Sequence, residues 1–374
     1  MRCIGLMSGT SMDAVDAVLA EFGAPAATPA DPAATHRCLG FASRAIPVEL
    51  RAQLAALQAP GPDELHRAAC AANTLVDLYA ATVADLLRDA GVDPVDVAAI
   101  GAHGQTVRHR PETGYTIQLN NPARLAELTG IGVVADLRSR DIAAGGQGAP
   151  LVPAFHRRAF AHATERRVVV NLGGIANLSI VEPAGASVAG WDCGPGNVLM
   201  DGWCERHRGE PYDADGRWAA RGQVLPALLE RLLAEPYFAL PPPKSTGRDL
   251  FHLEWLDARL RAAGTSAAMA PVDVQATLLE LTAATVAQAA GAARPHRVLL
   301  CGGGAANRRL RERLAEHLAS VPVGLTDEAG VPTQTVEALA FAWLAHEHLC
   351  GRAANVPQVT GAAGARLLGA FYPA

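Results

Sequence analysis

The tightest constraint on how this chain can fold is a device it uses twice. Cys3 to Met7 is an apolar run of strand length, Ser8 to Asp13 is polar and contains Gly9, and Val15 to Leu19 alternates well enough to return as an antiparallel strand. Far downstream the same order recurs. Arg167 to Leu172 (RVVVNL) reads as a strand, Gly173 and Gly174 as its turn, and Ile175 to Val181 (IANLSIV) as the returning strand. Two hairpins of this pattern predict a duplicated two-domain α/β fold whose glycine turns face each other across a cleft. At 374 residues the chain is long enough for two separate cores. The expected division is residues 1–135, completed by 350–374, and residues 136–349.

Composition narrows the class of partner. Half the residues are hydrophobic and 18% are charged, which suits a globular protein, and no unbroken apolar run approaches the roughly 18 residues of a membrane span. The expectation is a cytoplasmic protein with no membrane partner. A net charge of -5 and a single lysine, Lys244, argue against a nucleic-acid partner. Seven cysteines, odd in number and without a CxxC pair, exclude both a disulfide framework and a structural zinc site.

The first turn carries usable chemistry. Ser8, Gly9, Thr10 and Ser11 can donate to an anion, and Asp13 or Asp16 can hold a divalent cation directly or through water. A buried strand, Val97 to Ala102, ends in His103, Gln105 and Thr106. Polar residues at such a strand end are where open α/β sheets place ligands. Ile131 to Ala135 delivers Asp136, Arg138, Arg140 and Asp141, and GGQGAP (145–150) follows, a backbone that turns sharply or lies against a ligand.

In the second half, WDCGPGNVLMD places Asp192 at a strand tip, a position suited to a general base, with Asn197 expected to cap the next helix. Cys193 lacks a nearby histidine to activate it as a nucleophile. Lys244 follows Pro243, so no P-loop is present, and the basic loop 244–249 is left to help hold phosphate or an acidic substrate. Gly302, Gly303, Gly304 and Asn307 lie between a strand and a helix, with Asp327 at about the distance of a ribose-binding acid, a pattern that favours a nucleotide. Glu337 sits in an apolar helical segment and should face a ligand or an arginine.

Taken together, LMSGTSMD, AHGQTVRH, VADLRSRDIAAGGQGAPLVPAFH, NLGGIANLS, WDCGPGNVLMD, PKSTGRDLF, CGGGAANRRL and NVPQVTGA resemble the anhydro-N-acetylmuramic acid kinase family of the sugar kinase, Hsp70 and actin superfamily. The resemblance runs from residue 4 to 372. It implies a duplicated two-domain actin-like ATPase (ribonuclease H-like) fold with an interdomain cleft, ATP and Mg2+ as cofactors, 1,6-anhydro-N-acetylmuramic acid as small-molecule substrate, and a homodimer. Gly9, Thr10, Ser11, Met12, Asp13, Ala14, Val15 and Asp16 carry over to ATP, with Asp13 the choice for the metal. Gly173, Gly174, Gly302, Gly303, Gly304 and Asn307 complete the nucleotide set. Asp192 becomes the catalytic base and Glu337 a sugar contact, alongside His103 and Gln105. Arg138 and Arg140 are the candidates for the lactyl carboxylate. Ala14 departs from the family, which usually has Gly there.

Three rivals remain at this stage: a conventional sugar kinase, a nucleotide-dependent switch that would have no use for Asp192, and an NAD-dependent oxidoreductase resting on Gly302 to Gly304.

Overall fold

The computed structural model describes residues 1–9, 12–23, 36–262 and 269–374, and these form two compact units. The first unit is Met1–Ala159 with Thr335–Ala374, and the second is Phe160–Gln334. This corrects the expected division. The boundary lies beyond 135, because the helix Val152–Phe160 falls almost wholly in the first unit, and the helix Val336–Leu349 joins that unit as well.

In the first unit, β1 (Arg2–Ser8) pairs antiparallel with β2 (Ala14–Phe22), which pairs antiparallel with β3 (His36–Ala45). On its other side β1 runs parallel to β4 (Ala99–Ala102). The strands β5 (Gln105–Arg110) and β6 (Tyr115–Leu119) form a separate hairpin, and β7 (Val133–Ala135) lies parallel beside β4. A C-terminal strand, Ala370–Tyr372, closes that edge. The apolar alternation of β1 and β2 supplies one wall of a core that includes Ile4, Leu6, Val15, Ala17 and Leu19.

One helix against this sheet is Glu64–Ala90, ended by Gly91 in the left-handed conformation. It is long and apolar enough to cross a membrane by length and composition, which no unbroken apolar run had suggested. Its residues Leu75, Val76, Tyr79, Val83 and Leu86 are instead buried in the core of the unit. The helix Val336–Leu349 lies close on β1 and β4. A Cβ on Gly5 would strike the Ala338 carbonyl, and one on Gly101 the Phe341 carbonyl, so these two strand-interior glycines set the approach of helix to sheet. The short helix Val48–Ala56 is an addition that the sequence did not announce.

The second unit repeats the first. Here β8 (Arg167–Leu172) pairs antiparallel with β9 (Ile175–Val181), β9 antiparallel with β10 (Val188–Pro195), β8 parallel with β11 (Arg297–Cys301), and β11 parallel with β12 (Val323–Leu325). The order β10-β9-β8-β11-β12 matches β3-β2-β1-β4-β7 strand for strand and direction for direction. The helix Pro271–Ala292 packs on this sheet and buries Leu278, Leu281, Val286 and Ala290. The helices Pro226–Leu233 and Pro236–Ala239 both precede the three prolines 241–243.

Candidate functional site

The first-unit turn is shaped by its own hydrogen bonds. The Met12 N–H donates to the Gly9 carbonyl at 3.2 Å, and Met12 takes a positive φ of 57°. Thr10 and Ser11 lie outside the described residues. The Met12 and Val15 side chains are in the apolar core, so any contribution of theirs to a ligand is main-chain. Ser8, expected as an anion donor, instead donates its hydroxyl to the Gly104 carbonyl at 3.2 Å and accepts from the buried Tyr79 hydroxyl at 2.9 Å. Ala14 opens β2, and its main chain pairs with Ala45. Asp13 is exposed, with its carboxylate 3.8 Å from Arg51. Asp16 accepts from the Ser43 hydroxyl at 2.7 Å, and burial, opposed by that bond, raises its pKa.

Beside this turn the buried His103 and Gln105 flank Gly104, whose φ of 79° is left-handed. The Gln105 amide donates to the Gly9 carbonyl at 3.3 Å. His103 Nε2 accepts from Arg138 Nε at 3.1 Å and Nη2 at 2.9 Å, while Arg138 Nη1 donates to the Gly148 carbonyl at 2.8 Å. Burial, then the Arg138 charge, holds the His103 pKa well below the ordinary histidine value, against a smaller opposing pull from the Gly104 and Ser8 main chain. Arg138 is therefore engaged with a histidine and a carbonyl. Arg140 is exposed, and Glu337 is half-buried in the first turn of its helix rather than fully enclosed.

Asp141 is the organiser that sequence reasoning passed over. Its carboxylate, 0% exposed, accepts from the Gly148 N–H at 2.8 Å, Asn355 Nδ2 at 2.7 Å and Thr360 Oγ1 at 2.8 Å. A Cβ on Gly146 would collide with it. The glycine run 145–148 thus wraps a carboxylate of its own unit and ties the terminal NVPQVTGA segment to it, where a ligand had been a candidate. The signal was available in the placement of an Asp one helical turn before the glycines.

In the second unit, Asp192 lies within β10, at a bulge where the register with β9 shifts between Asp192 and Gly194. A bulge turns the following chain away from the ladder. Gly194 takes φ 138°, and a Cβ there would lie 2.6 Å from the Phe238 ring. The Asp192 carboxylate, on a residue 9% exposed, accepts from the Thr246 N–H at 3.0 Å, while the Asp192 main chain bonds Lys244 and Tyr237. The loop after Pro243 therefore serves Asp192. Lys244, expected to help hold phosphate, donates to the carbonyls of Tyr237 and Phe238 at 3.2 Å each and lies 4.7 Å from the Tyr237 ring. Burial lowers its pKa.

Asn197 stands at the helix start but makes no side-chain cap. Instead the N–H groups of Gly196, Asn197 and Val198 donate to the carbonyls of Gly174, Gly173 and Gly174. Thr282 of the long helix holds the Gly196 carbonyl from behind at 2.8 Å. The third glycine turn packs on the same strand end: a Cβ on Gly302 would meet Asn171 of β8, and one on Gly304 would meet Leu172. Gly303 has open space around it. Asn307 caps its helix, accepting from Leu310 N at 3.0 Å. Asp327 accepts from the N–H and hydroxyl of Thr333, which ties down a loop and removes the argument for a ribose acid. Cys193 is buried, and burial followed by the Asp192 charge pushes its thiol pKa up, the opposite of nucleophile activation. The unit thus gathers three glycine turns and one carboxylate around the end of β8. Among the described residues no group of three His, Cys, Asp or Glu side chains could hold a metal.

Two units sharing one strand order, each with a glycine turn on its opening hairpin, define the duplicated actin-like ATPase, or ribonuclease H-like, fold class. The chain belongs to the anhydro-N-acetylmuramic acid kinase family, whose model matches residues 1–374. The anhydro-N-acetylmuramic acid kinase of Bordetella parapertussis is 60% identical over 374 residues, which cover 99% of this chain and 96% of that protein. The protein of the same name from Variovorax paradoxus is 55% identical over 383 residues, covering 99% and 98%. The solved activator of the 2-hydroxyisocaproyl-CoA dehydratase from Clostridium difficile is 12% identical, covers 94% of this chain and 96% of its own, and superposes with a TM-score of 0.48, a likeness that carries nothing about sites.

Proposed function

We propose that this chain is an ATP-dependent kinase that opens the anhydro ring of 1,6-anhydro-N-acetylmuramic acid and phosphorylates O6, giving N-acetylmuramic acid 6-phosphate and ADP. The observation that supports it best is Asp192: a carboxylate nearly enclosed, bonded by the Thr246 N–H and set at a bulge beside three glycine turns, in a chain of this family. The substrate dictates the role of that group. O6 is locked in an acetal with C1 and carries no proton, so a base aimed at O6 would have nothing to remove. In our reading Asp192 takes a proton from a water that attacks C1. The C1–O6 bond breaks, its electrons stay on O6, and O6 takes the γ-phosphoryl group of ATP as ADP departs. One water and one phosphoryl group are added in all.

The first turn, Gly9 to Asp16, and the glycines 173–174 and 302–304 are assigned to ATP by the family resemblance. A Mg2+ ion keeps several waters and needs only one or two protein carboxylates when phosphate supplies the rest, and the exposed Asp13 fits that requirement. When bound, the ion offsets the charge of the phosphates. Glu337, His103 and Gln105 are assigned to the sugar. Arg140, exposed, is the better remaining candidate for the lactyl carboxylate, since Arg138 is engaged by His103 and Gly148. Mg2+ dependence, a homodimeric state and a cytoplasmic location belong to the same proposal and rest on the resemblance.

The test is incubation with ATP, Mg2+ and the anhydro sugar, followed by mass analysis. The expected product gains one phosphate and one water, whereas gain of phosphate alone would make this a conventional sugar kinase. Asp192→Asn keeps the volume and the acceptor for Thr246, so it should fold and still bind ATP while turnover drops about 10²- to 10⁴-fold. Near-normal product formation by that variant would remove Asp192 from the mechanism.

A further inference from the structure

The second unit contains a cavity of about 400 Å³, a size that suits a small molecule. Its walls are the end of the helix Val198–Arg208, with His207 and Arg208, the start of the helix Pro271–Ala292, with Pro271 and Val272, and the Trp218 and Arg221 side chains. No residue assigned above to ATP or to the sugar lines it. Arg208 lies over the Trp218 ring at 5.6 Å and is neutralised by Glu210 at 2.6 Å. The His207 ring rests on Trp203, with centroids 4.0 Å apart. Burial, then the Arg206 charge, lowers the His207 pKa against a smaller pull from Asp257, so the ring is uncharged at neutral pH. Asp213 and Asp273, on the segments that form the walls, are engaged as well. Asp213 takes the N–H groups of Trp218 and Ala219, and Asp273 takes that of Gln223. Among the described residues Arg221 makes no ion pair and no side-chain hydrogen bond, which leaves it the uncompensated charge of the lining.

One unspent guanidinium beside the apolar surfaces of Trp218, Pro271 and Val272 selects for one kind of ligand. A guanidinium and the positive end of a helix both favour a carboxylate, and the apolar surfaces favour a ring or branched chain attached to it. A bare inorganic anion would leave those surfaces unused, and an uncharged ring would leave Arg221 unused. The cavity is also joined mechanically to the turn that follows Asp192. One of its helices begins at Val198, directly after that turn, and the other carries Thr282, whose hydroxyl lies 3.1 and 2.8 Å from the Pro195 and Gly196 carbonyls. At the cavity end the same two helices are tied by the Trp203 indole N–H, which donates to the Pro271 carbonyl at 2.8 Å. From Pro271 to Thr282 the helix spans about 16 Å. We infer that this cavity is a second ligand site, for a small apolar carboxylate, whose occupation is transmitted along the two helices to the Asp192 turn. The inference goes beyond the proposed function, and its test reads binding without turnover.

The test titrates the whole protein with phenylacetate, a ring bearing one carboxylate, and uses phenylacetamide and inorganic phosphate as controls. Phenylacetate should bind with a Kd of about 1 mM or tighter. It should shift the ¹⁵N resonance of the Trp218 indole and also that of the Gly196 amide, which lies too far off for direct contact. Phenylacetamide and phosphate should each bind about tenfold or more weakly. Arg221→Ala should weaken phenylacetate by about tenfold with no change in melting temperature, and Arg221→Lys should recover part of the loss. The site would be overturned by failure of phenylacetate to bind at about 10 mM, by equal binding of the acid and either control, by binding indifferent to Arg221→Ala, or by full displacement of phenylacetate by ADP. A shift at Trp218 with none at Gly196 would overturn the transmission to the Asp192 turn.

Discussion

Asp141→Ala isolates the element that holds the glycine run of the first unit in place. In the native protein three donors converge on this carboxylate: the Gly148 N–H, Asn355 Nδ2 and Thr360 Oγ1, all at 2.7–2.8 Å. Truncation leaves all three facing a small apolar hole. An unmet buried donor costs about 1–3 kcal/mol. Some relaxation of the loop recovers part of this, so about 3 kcal/mol of local stability should go. At 1.4 kcal/mol per factor of ten, amides in 145–148 and 355–361 should exchange with solvent about 10²-fold faster. Asp141→Asn is the finer probe. Its amide oxygen can still accept from Asn355 and Thr360, but its NH2 then meets the Gly148 N–H donor to donor, so acceleration should be concentrated at Gly148. Hydrogen exchange followed by mass spectrometry reads both segments separately from the second unit. Exchange within threefold of wild type in the alanine variant would refute the claim that this carboxylate clamps the two segments.

Two further outcomes follow from the same geometry. Gly194→Ala forces a Cβ onto the Phe238 ring at a φ that L residues avoid, and should cost about 1–3 kcal/mol and depress turnover through Asp192, read by thermal melting and ADP release; an unchanged melting temperature would show that the bulge tolerates a side chain. Burial pushes the Glu347 carboxyl up, but hydrogen bonds and charge from Arg352 and His346 outweigh it and leave the group at about 2, with Arg158 also facing it. A depressed carboxylate contributes stability that is full above its ordinary pKa of 4.5 and is lost as pH falls toward 2, so the melting-temperature gap between wild type and Glu347→Gln should be constant from pH 7 to 5 and narrow below about 4.5. A gap that widens on acidification would contradict the assignment.

What the sequence disclosed was the part written in local chemistry. The two hairpins were legible because alternation and glycine act within a few residues. The domain boundary was not legible, because membership of the helix Val336–Leu349 is decided by packing against β1 and β4, hundreds of residues earlier in the chain. Gly5 and Gly101, glycines in the middle of strands, were its only local trace. The same limit explains the site. Asp192 was recognisable as a carboxylate at a strand end, but its neighbours come from the 244–246 loop, and the cap assigned to Asn197 is replaced by main-chain bonds to the 173–174 turn. Arg138 looked like a ligand residue because a charged cluster beside glycines reads the same whether it faces a substrate or the protein itself.

The discontinuous first unit also bears on biosynthesis. Its sheet is begun by β1, yet the helix that sits on Gly5 and Gly101 is made long after that strand. The second unit, residues 160–334, is contiguous and is synthesised complete just before that helix. Translation, which usually lets N-terminal domains fold first, is thus met here by a chain whose inner unit can finish first, while β1 and β4 wait with one face uncovered. Over that interval an apolar sheet face lacks its native cover, the condition under which partly folded chains aggregate.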